Sequence, residues 1–408
     1  MLPHPDREVN SMNAVLREID GLTPLPYQRD LVAYLKSMEP EVWAWASSLS
    51  VQEQHSNEVR AQLLRDTYRL THATHPQVYA LCEQALQRLQ IDSPITVYQA
   101  NGQSMNATLF YLPGEVHVVL QGPVLERLQE NELLALLGHE LAHYCLWSSH
   151  DGDYLVADRV LNHSASAHIS STSYAESARL YGLHVELYAD RGAALAAQSS
   201  AVAIAMLVKV HTGIAEVNAE AYLQQALELD EKAGQLSQGT SHPESFLRSQ
   251  AIDMWWRQDP QLDSWLERRL RGPLSLASLD LPGQVALTTI TRGFIARYLQ
   301  RPELHSEKVT TQAQQFFPDW QADFPPVDLA TLTIEHLDDS VQEYLHYVLL
   351  DLALADEDLR EPALEQAARI AHTLGSQEGF FKILKRDIKL GKRELTNLTS
   401  RAAGGLSQ

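Results

Sequence analysis

The chain has 408 residues and a formal net charge of -20, with 45% hydrophobic and 21% charged residues. This composition excludes a disordered or fibrous protein and leaves room for more than one hydrophobic core. The acidic balance argues against a nucleic-acid footprint or docking on an anionic membrane, and two cysteines, Cys82 and Cys145, are too few for a disulfide framework, which points to a reducing, cytoplasmic setting.

The N-terminal "MLPHPDREVNSMNAVL" has neither a basic n-region nor an apolar run before a cleavage site, so no signal peptide is expected. Residues 1–90 read as helices, with Val78, Leu81, Cys82, Ala85 and Leu89 on one stripe. From Pro94 the period changes. The runs "PITVYQ" and "ATLFYLPGEVHVVLQG" are β-branched and aromatic, with Pro113-Gly114 between strands, and predict a small sheet. In it, "GEVHVVLQ" is expected as an edge that binds an extended peptide by main-chain hydrogen bonds, with His117 at the substrate side or surface.

A helix follows over "NELLALLGHELAHYCLW", for which Asn131 is the expected N-cap. Residues 147–175 read as a Ser/His/Asp-rich loop with one short helix, a candidate mobile cover. The apolar window 192–210 reads as one buried helix, because it is Ala-rich rather than Leu/Phe-rich and is interrupted by Gln198, Ser199 and Ser200. Helices continue to 301. Three prolines in "FFPDWQADFPPVDL" mark a boundary, after which amphipathic helices resume. The expected fold is mainly α with a small β-sheet (α+β), divided as 1–74 helical, 75–270 with the sheet and motif helix, 271–326 connector and linker, and 327–408 all-helical.

The chemistry lies in "LLGHELAHYC". His139 and His143 are four residues apart and share a helical face, the spacing for two imidazoles on one metal. Leu134, Leu137, Leu141 and Cys145 fall opposite, so the helix is expected to be buried on its back and open at the histidines. Zinc suits neutral imidazole, and Glu140 between the ligands can take a proton from water as general base. The bland reading is a helix with a solvated polar face. A second cluster, "LHVELYADRG", places Glu186 and Asp190 on one helical face, where Glu186 could supply a carboxylate ligand and Asp190 could accept a histidine N–H.

These elements, His139-Glu140-x-x-His143, Glu186-x-x-x-Asp190 and "SHPESFLR" with His242, Pro243 and Arg248, resemble the zinc metallopeptidases typified by the type-I CAAX prenyl proteases and the heat-shock protease HtpX, over about residues 75–255. The Asn106-Ala107 pair and the following strands are similar in plan. The resemblance implies a zincin-like domain with one zinc per chain on His139, His143 and Glu186, Glu140 as base, Asp190 behind the ligands, and His242 with Arg248 near a peptide substrate, His242 donating to the oxyanion. It implies a zinc endopeptidase; the competing expectation is a catalytically silent scaffold or stress-response binding protein on the same fold. The transmembrane helices of that family's best-known members are missing here, so no membrane span is expected. The segment "YVLLDLALADEDLREPALEQAARIAHTLG" is similar to TerB-like domains of the tellurite-resistance type, with Ala355-Asp356 in place and Glu357 where Gly is usual. That resemblance implies a helical module for a protein partner or a cation; a cation site near Asp356, Asp358 and Glu361 stands against a solvated acidic helix end.

Overall fold

The structure is a computed structural model and describes residues 21–48, 53–166, 172–233, 236–321, 323–333 and 336–404. They fall into two compact units, one holding the described residues up to Ser166 with Ala178–Leu270, the other Thr172–Ser177 with the described residues from Arg271.

The first unit begins with α1 (Pro26–Met38), α2 (Pro40–Ser48) and α3 (Glu53–Asp66). Then comes α4 (Pro76–Arg88), which buries Val78, Cys82 and Ala85 of the expected stripe. Proline opens α1 and α4, where its missing N–H costs nothing and its fixed φ suits the helix. A two-residue strand, β1 (Tyr68–Arg69), interrupts the stretch expected to be helical and pairs antiparallel with the next strand. Two residues are too short for a period to reveal.

The sheet is completed by β2 (Ile95–Ala100), β3 (Asn106–Leu112) and β4 (Glu115–Gln121), in the order β1-β2-β4-β3. β3 and β4 form the hairpin expected around Pro113-Gly114, with Gly114 at φ 77°, a conformation that suits glycine. β2 runs parallel to β4 on its other side. The strand "GEVHVVLQ" is therefore interior, and the edge is β3. The residues from Val116 to Leu120 are buried on both faces, as expected of a strand flanked on each side. His117 is accordingly not at the surface; its Nε2 lies 3.0 Å from Glu115 Oε2 and its Nδ1 3.2 Å from the Tyr98 hydroxyl.

After the single turn α5 (Val124–Arg127), α6 (Glu130–Ser148) runs through the interior, with every residue from Glu132 to Leu146 buried. The face expected to be open along the histidines is little exposed, His139, Glu140 and His143 each below 10%, yet it lines a cleft. The N-cap of α6 is Gln129 rather than Asn131, and the Gln129 N–H donates to Glu132 Oε2 at 2.9 Å. Lys209 donates to the same oxygen at 2.9 Å, both side chains being buried. The pair ties the start of α6 to α9 (Ser200–Thr212).

The expected loop of residues 147–175 is mostly helical. A turn at His150–Gly152 leads into α7 (Asp153–Ser166), and α8 (Thr172–Ala197) follows; residues 167–171 lie outside the described residues. The reason is an apolar face inside the polar composition: Tyr154, Val156, Ala157, Val160 and Leu161 are all buried. The window 192–210 is buried but is two helices, broken where Gln198 takes φ 55° and Ser199 caps α9 by accepting from Val202 N. α10 (Ala219–Ala233), α11 (Ser245–Trp256) and α12 (Leu262–Leu270) complete this unit.

In the second unit α13 (Leu281–Tyr298) and α14 (Glu307–Phe316) precede α15 (Asp339–Leu354), α16 (Arg360–Thr373), α17 (Gln377–Asp387) and α18 (Lys392–Gly404). Residues 271–326, expected as connector and linker, share one core with the helices after them: Phe294, Tyr298 and Trp320 pack with Leu345, Leu349 and Phe380. The proline-bearing segment is strapped to α13, Val327 N–H donating to Gly293 O at 3.0 Å. Asp356 does not read as a cation ligand, since its Oδ1 accepts from Lys308 Nζ at 2.9 Å and Glu361 pairs with Arg401. Among the described residues no helix is long and apolar enough to cross a membrane.

Candidate metal centre

Two helices must touch closely for the motif to find its third ligand, and glycine makes that contact possible. A Cβ on Gly138 of α6 would sit 2.8 Å from Gly192 O and closer still to Ala196 Cβ; one on Gly192 of α8 would sit 2.9 Å from Gly138 O and overlap Ala142 Cβ. The two backbones therefore meet at a reciprocal pair of glycines, flanked by Ala142 and Ala196. One residue on from Gly138 stands His139, and two before Gly192 stands Asp190, so the crossing sets the first group beside the second. Substituting Gly192→Ala is expected to lower stability by about 1–3 kcal/mol, the usual cost of an extra methyl in a filled core. Urea unfolding reads that loss. No loss would mean that the helices can separate freely and that the crossing does not set the site.

The side chains it joins are buried: His139, Glu140, His143, Glu186, Asp190 and Arg248 are each less than 10% exposed. His139 Nε2 lies 3.4 Å from Glu186 Oε2, and His143 Nε2 lies 3.7 Å from Glu186 Oε1. One ligand atom from each of these three residues falls within 4.8 Å of the other two. Ligands about 2.0–2.2 Å from a tetrahedral zinc stand about 3.3–3.6 Å apart, close to the two spacings from the histidines to Glu186. Glu186 Oε2 is buried among His139 Nε2, Arg248 Nη2 and His242 Nε2 at 3.3–3.4 Å, with none of them in hydrogen-bond geometry, so its lone pairs are available to a cation.

Behind the ligands, His139 Nδ1 lies 3.2 Å from Asp190 Oδ1. Arg248 grips Asp190 with both arms, Nε to Oδ2 at 2.8 Å and Nη2 to Oδ1 at 2.7 Å, and Nη2 is also 3.3 Å from Glu186 Oε2. Burial would raise both carboxyls, but Arg248 and His139 together hold Glu186 and Asp190 below the usual carboxylate range. Burial disfavours a charge on His143 and, with His139 and Arg248 adding to it, takes its pKa down to about 4, leaving its ring neutral with a lone pair to give. Burial acts the same way on His139, yet Asp190 and Glu186 outweigh it and push that ring up to about 10. The two carboxylates hold one positive charge at His139, which a proton or a metal can meet.

Glu140 points elsewhere. It accepts a hydrogen bond from the backbone of Leu109 on β3, and burial pushes its carboxyl up to about 7. With it, the residues Asn106 to Leu109 of β3 and its approach, His139, His143 and His242 line one cleft of roughly 870 Å³. Trp147 stacks on His143 with ring centroids 5.5 Å apart, fixing the imidazole from one side. His242 is 56% exposed in its side chain, with Nε2 3.4 Å from Glu186 Oε2 and Nδ1 2.9 Å from Ser241 Oγ.

Every site residue expected from the sequence thus gathers at one place: His139, Glu140, His143, Glu186, Asp190, His242 and Arg248. Sequence reasoning missed the Gly138–Gly192 crossing, Trp147, and Glu244, which holds the loop before His242 by accepting from Ser237 Oγ at 2.7 Å and Gln238 N at 2.8 Å. A small-residue pattern, Gly138 with Ala142 and Gly192 with Ala196, was the available signal for the crossing.

No solved structure matches the chain significantly. The plastoglobule-localized metallopeptidase 48, chloroplastic, of Arabidopsis thaliana is 28% identical over 200 residues, which cover 44% of this chain and 57% of that protein. Residues 72–256, the segment that runs from just before α4 to the end of α11 and carries the whole cluster, match peptidase family M48.

Proposed function

We propose that the protein is a zinc-dependent endopeptidase, with one zinc per chain held by His139, His143 and Glu186. The observation that carries the reading is the convergence of those three ligand atoms within 4.8 Å, beside a buried Glu140 that is no part of the ligand set. A zinc ion there would act as a Lewis acid on the scissile carbonyl and on the attacking water.

The chain's own groups supply the rest. β3 is an edge strand that lines the cleft, so an extended peptide would add beside it as a further strand. Glu140 takes the proton of the attacking water and hands it to the leaving amine, a shuttle suited to a carboxyl whose pKa burial has brought to about 7. His242, the exposed member of the group, donates a hydrogen bond to the oxyanion as it forms. Asp190 and Arg248 keep His139 oriented, as groups behind a metal ligand commonly do.

The second unit would act as a helical module that recruits a partner, since none of its described residues belongs to the cluster. Cys82 and Cys145, both buried and raised to about 12 by burial, are packing residues and suit a reducing, cytoplasmic setting.

The test is metal analysis of the purified full chain, paired with cleavage of an unstructured protein before and after chelation. One zinc per chain and loss of cleavage on its removal are expected. His139→Ala should abolish stoichiometric zinc; full zinc retention would overturn the ligand assignment. Zinc without any cleavage would favour the silent scaffold.

A further inference from the structure

One carboxylate in the cleft takes no part in the chemistry above. Asp158, on α7, lines the same cavity as Glu140 and His143, in the company of Trp147, Gly182 and Val185. α7 is thus a wall of the cleft rather than a loose cover over it.

The environment of Asp158 is unusual for a charge. Its side chain hydrogen-bonds Asn162, one turn along the same helix, and burial pushes its carboxyl up to about 6, a shift that an arriving cation would oppose. Arg159 acts on it at a distance, but among the described residues no ion pair to Asp158 is formed, and Arg159 Nη1 is itself buried with no hydrogen-bond partner. Asp158 is half-buried, and a carboxylate partly withdrawn from water with one amide partner gains from a cation that meets it. The cavity gives a cation a way in. A Cβ at Gly182 would meet nothing within 4 Å, so open space lies over that part of α8, while Val185 and the Trp147 indole offer apolar surface.

Those features match a long basic side chain in both its parts: methylenes against Val185 and Trp147, and a charged head on the carboxylate. We propose that Asp158 is a specificity-determining residue, which selects substrates carrying Lys or Arg at one fixed position relative to the scissile bond. The proposal rests on the peptidase reading for its biological use, but the binding it describes does not need catalysis.

The experiment compares a peptide carrying Lys at that position with one carrying norleucine, which has the same chain without the charge; a peptide library cut by the full-length zinc protein and read by mass spectrometry locates the position. The library should show Lys and Arg enriched at one position, and the Lys peptide should be preferred about ten- to a hundredfold, the factor carried by a hydrogen bond between charged groups. In Asp158→Asn, which keeps the shape and an Asn162 partner, the ratio should fall to near one; Asp158→Lys should turn the preference to Asp and Glu. Cleavage with no basic preference, or a preference that survives Asp158→Asn, overturns the inference and leaves the peptidase reading intact. Should the protein cut nothing, fluorescence anisotropy with a peptide carrying Lys at every second position and its norleucine counterpart decides: tighter binding of the Lys peptide that Asp158→Asn abolishes upholds the subsite although the peptidase reading has failed, and equal binding of the two peptides overturns it.

Discussion

Glu140→Gln should bind zinc as the wild type does and cleave an unstructured protein about a hundred to ten thousand times more slowly, the share that a positioned general base supplies. The amide is nearly isosteric, and its oxygen can still accept from the Leu109 backbone on β3, as Glu140 does. What it cannot do is take the proton of water. The same substitution has a second, opposite consequence in the metal-stripped protein. The folded-state pKa of Glu140 is raised to about 7 from an ordinary 4.5, so as pH climbs through that interval the unfolded chain has already released a proton that the folded chain still holds. Wild-type stability falls by up to a few kcal/mol across the window, at about 1.4 kcal/mol for each pH unit of separation. The Gln variant carries no such proton and should gain stability relative to the wild type as pH rises from 4.5 to 7. Turnover by the variant at the wild-type rate would sink the mechanism; parallel stability profiles would sink the account of Glu140 as a carboxyl strained by burial.

The site was legible in the sequence because its chemistry obeys short-range geometry. Four-residue spacing puts His139 over His143 on any α-helix, and the same spacing puts Glu186 over Asp190. What brings the two helices together is a tertiary fact. Gly138 and Gly192 lie far apart in the chain, and each is unremarked until its counterpart is known to oppose it. Trp147 was missed for another reason: it keeps the motif's four-residue spacing from His143, one more turn along α6, but lies outside the motif itself.

The fold was less legible where composition and burial part company. The segment after α6 is rich in Ser, His and Asp and was expected as a loop, yet the buried residues from Tyr154 to Leu161 make α7 a packed helix. The expected sheet edge was displaced because alternation cannot tell an edge strand from an interior one; the direct pairing of β2 with β4 decides it. The prolines near 325 looked like a linker, although a segment without helical period can still be fixed by a main-chain hydrogen bond such as that from Val327 to Gly293.

Arg248→Met should destabilise the metal-free protein by about 3–5 kcal/mol, the range for removing one partner of a buried ion pair. Asp190 is 1% exposed and takes two hydrogen bonds from Arg248, at 2.7 and 2.8 Å, while Glu186 lies 3.3 Å from the same guanidinium. Methionine fills much of the volume, so the loss reports charge rather than a cavity. The pH dependence separates this cause from a packing defect. Asp190 in the wild type is depressed below its unfolded value, so the stability it contributes is present above the ordinary carboxylate range and is lost as pH falls through the folded value. Without Arg248 that depression shrinks, and burial acts to raise the carboxyl. The gap between variant and wild type should therefore be widest near neutral pH and narrow below about 4, near the ordinary Asp pKa. Adding Asp190→Asn to Arg248→Met should return part of the loss, because the stranded charge is gone; urea unfolding of the two single variants and the double variant measures that coupling. Zinc affinity should drop about ten- to a hundredfold in Arg248→Met, as His139 loses the arrangement that orients it. A loss below about 1 kcal/mol, the size of an exposed ion pair, would mean that water reaches the cluster and that its burial does not govern the charges around the metal.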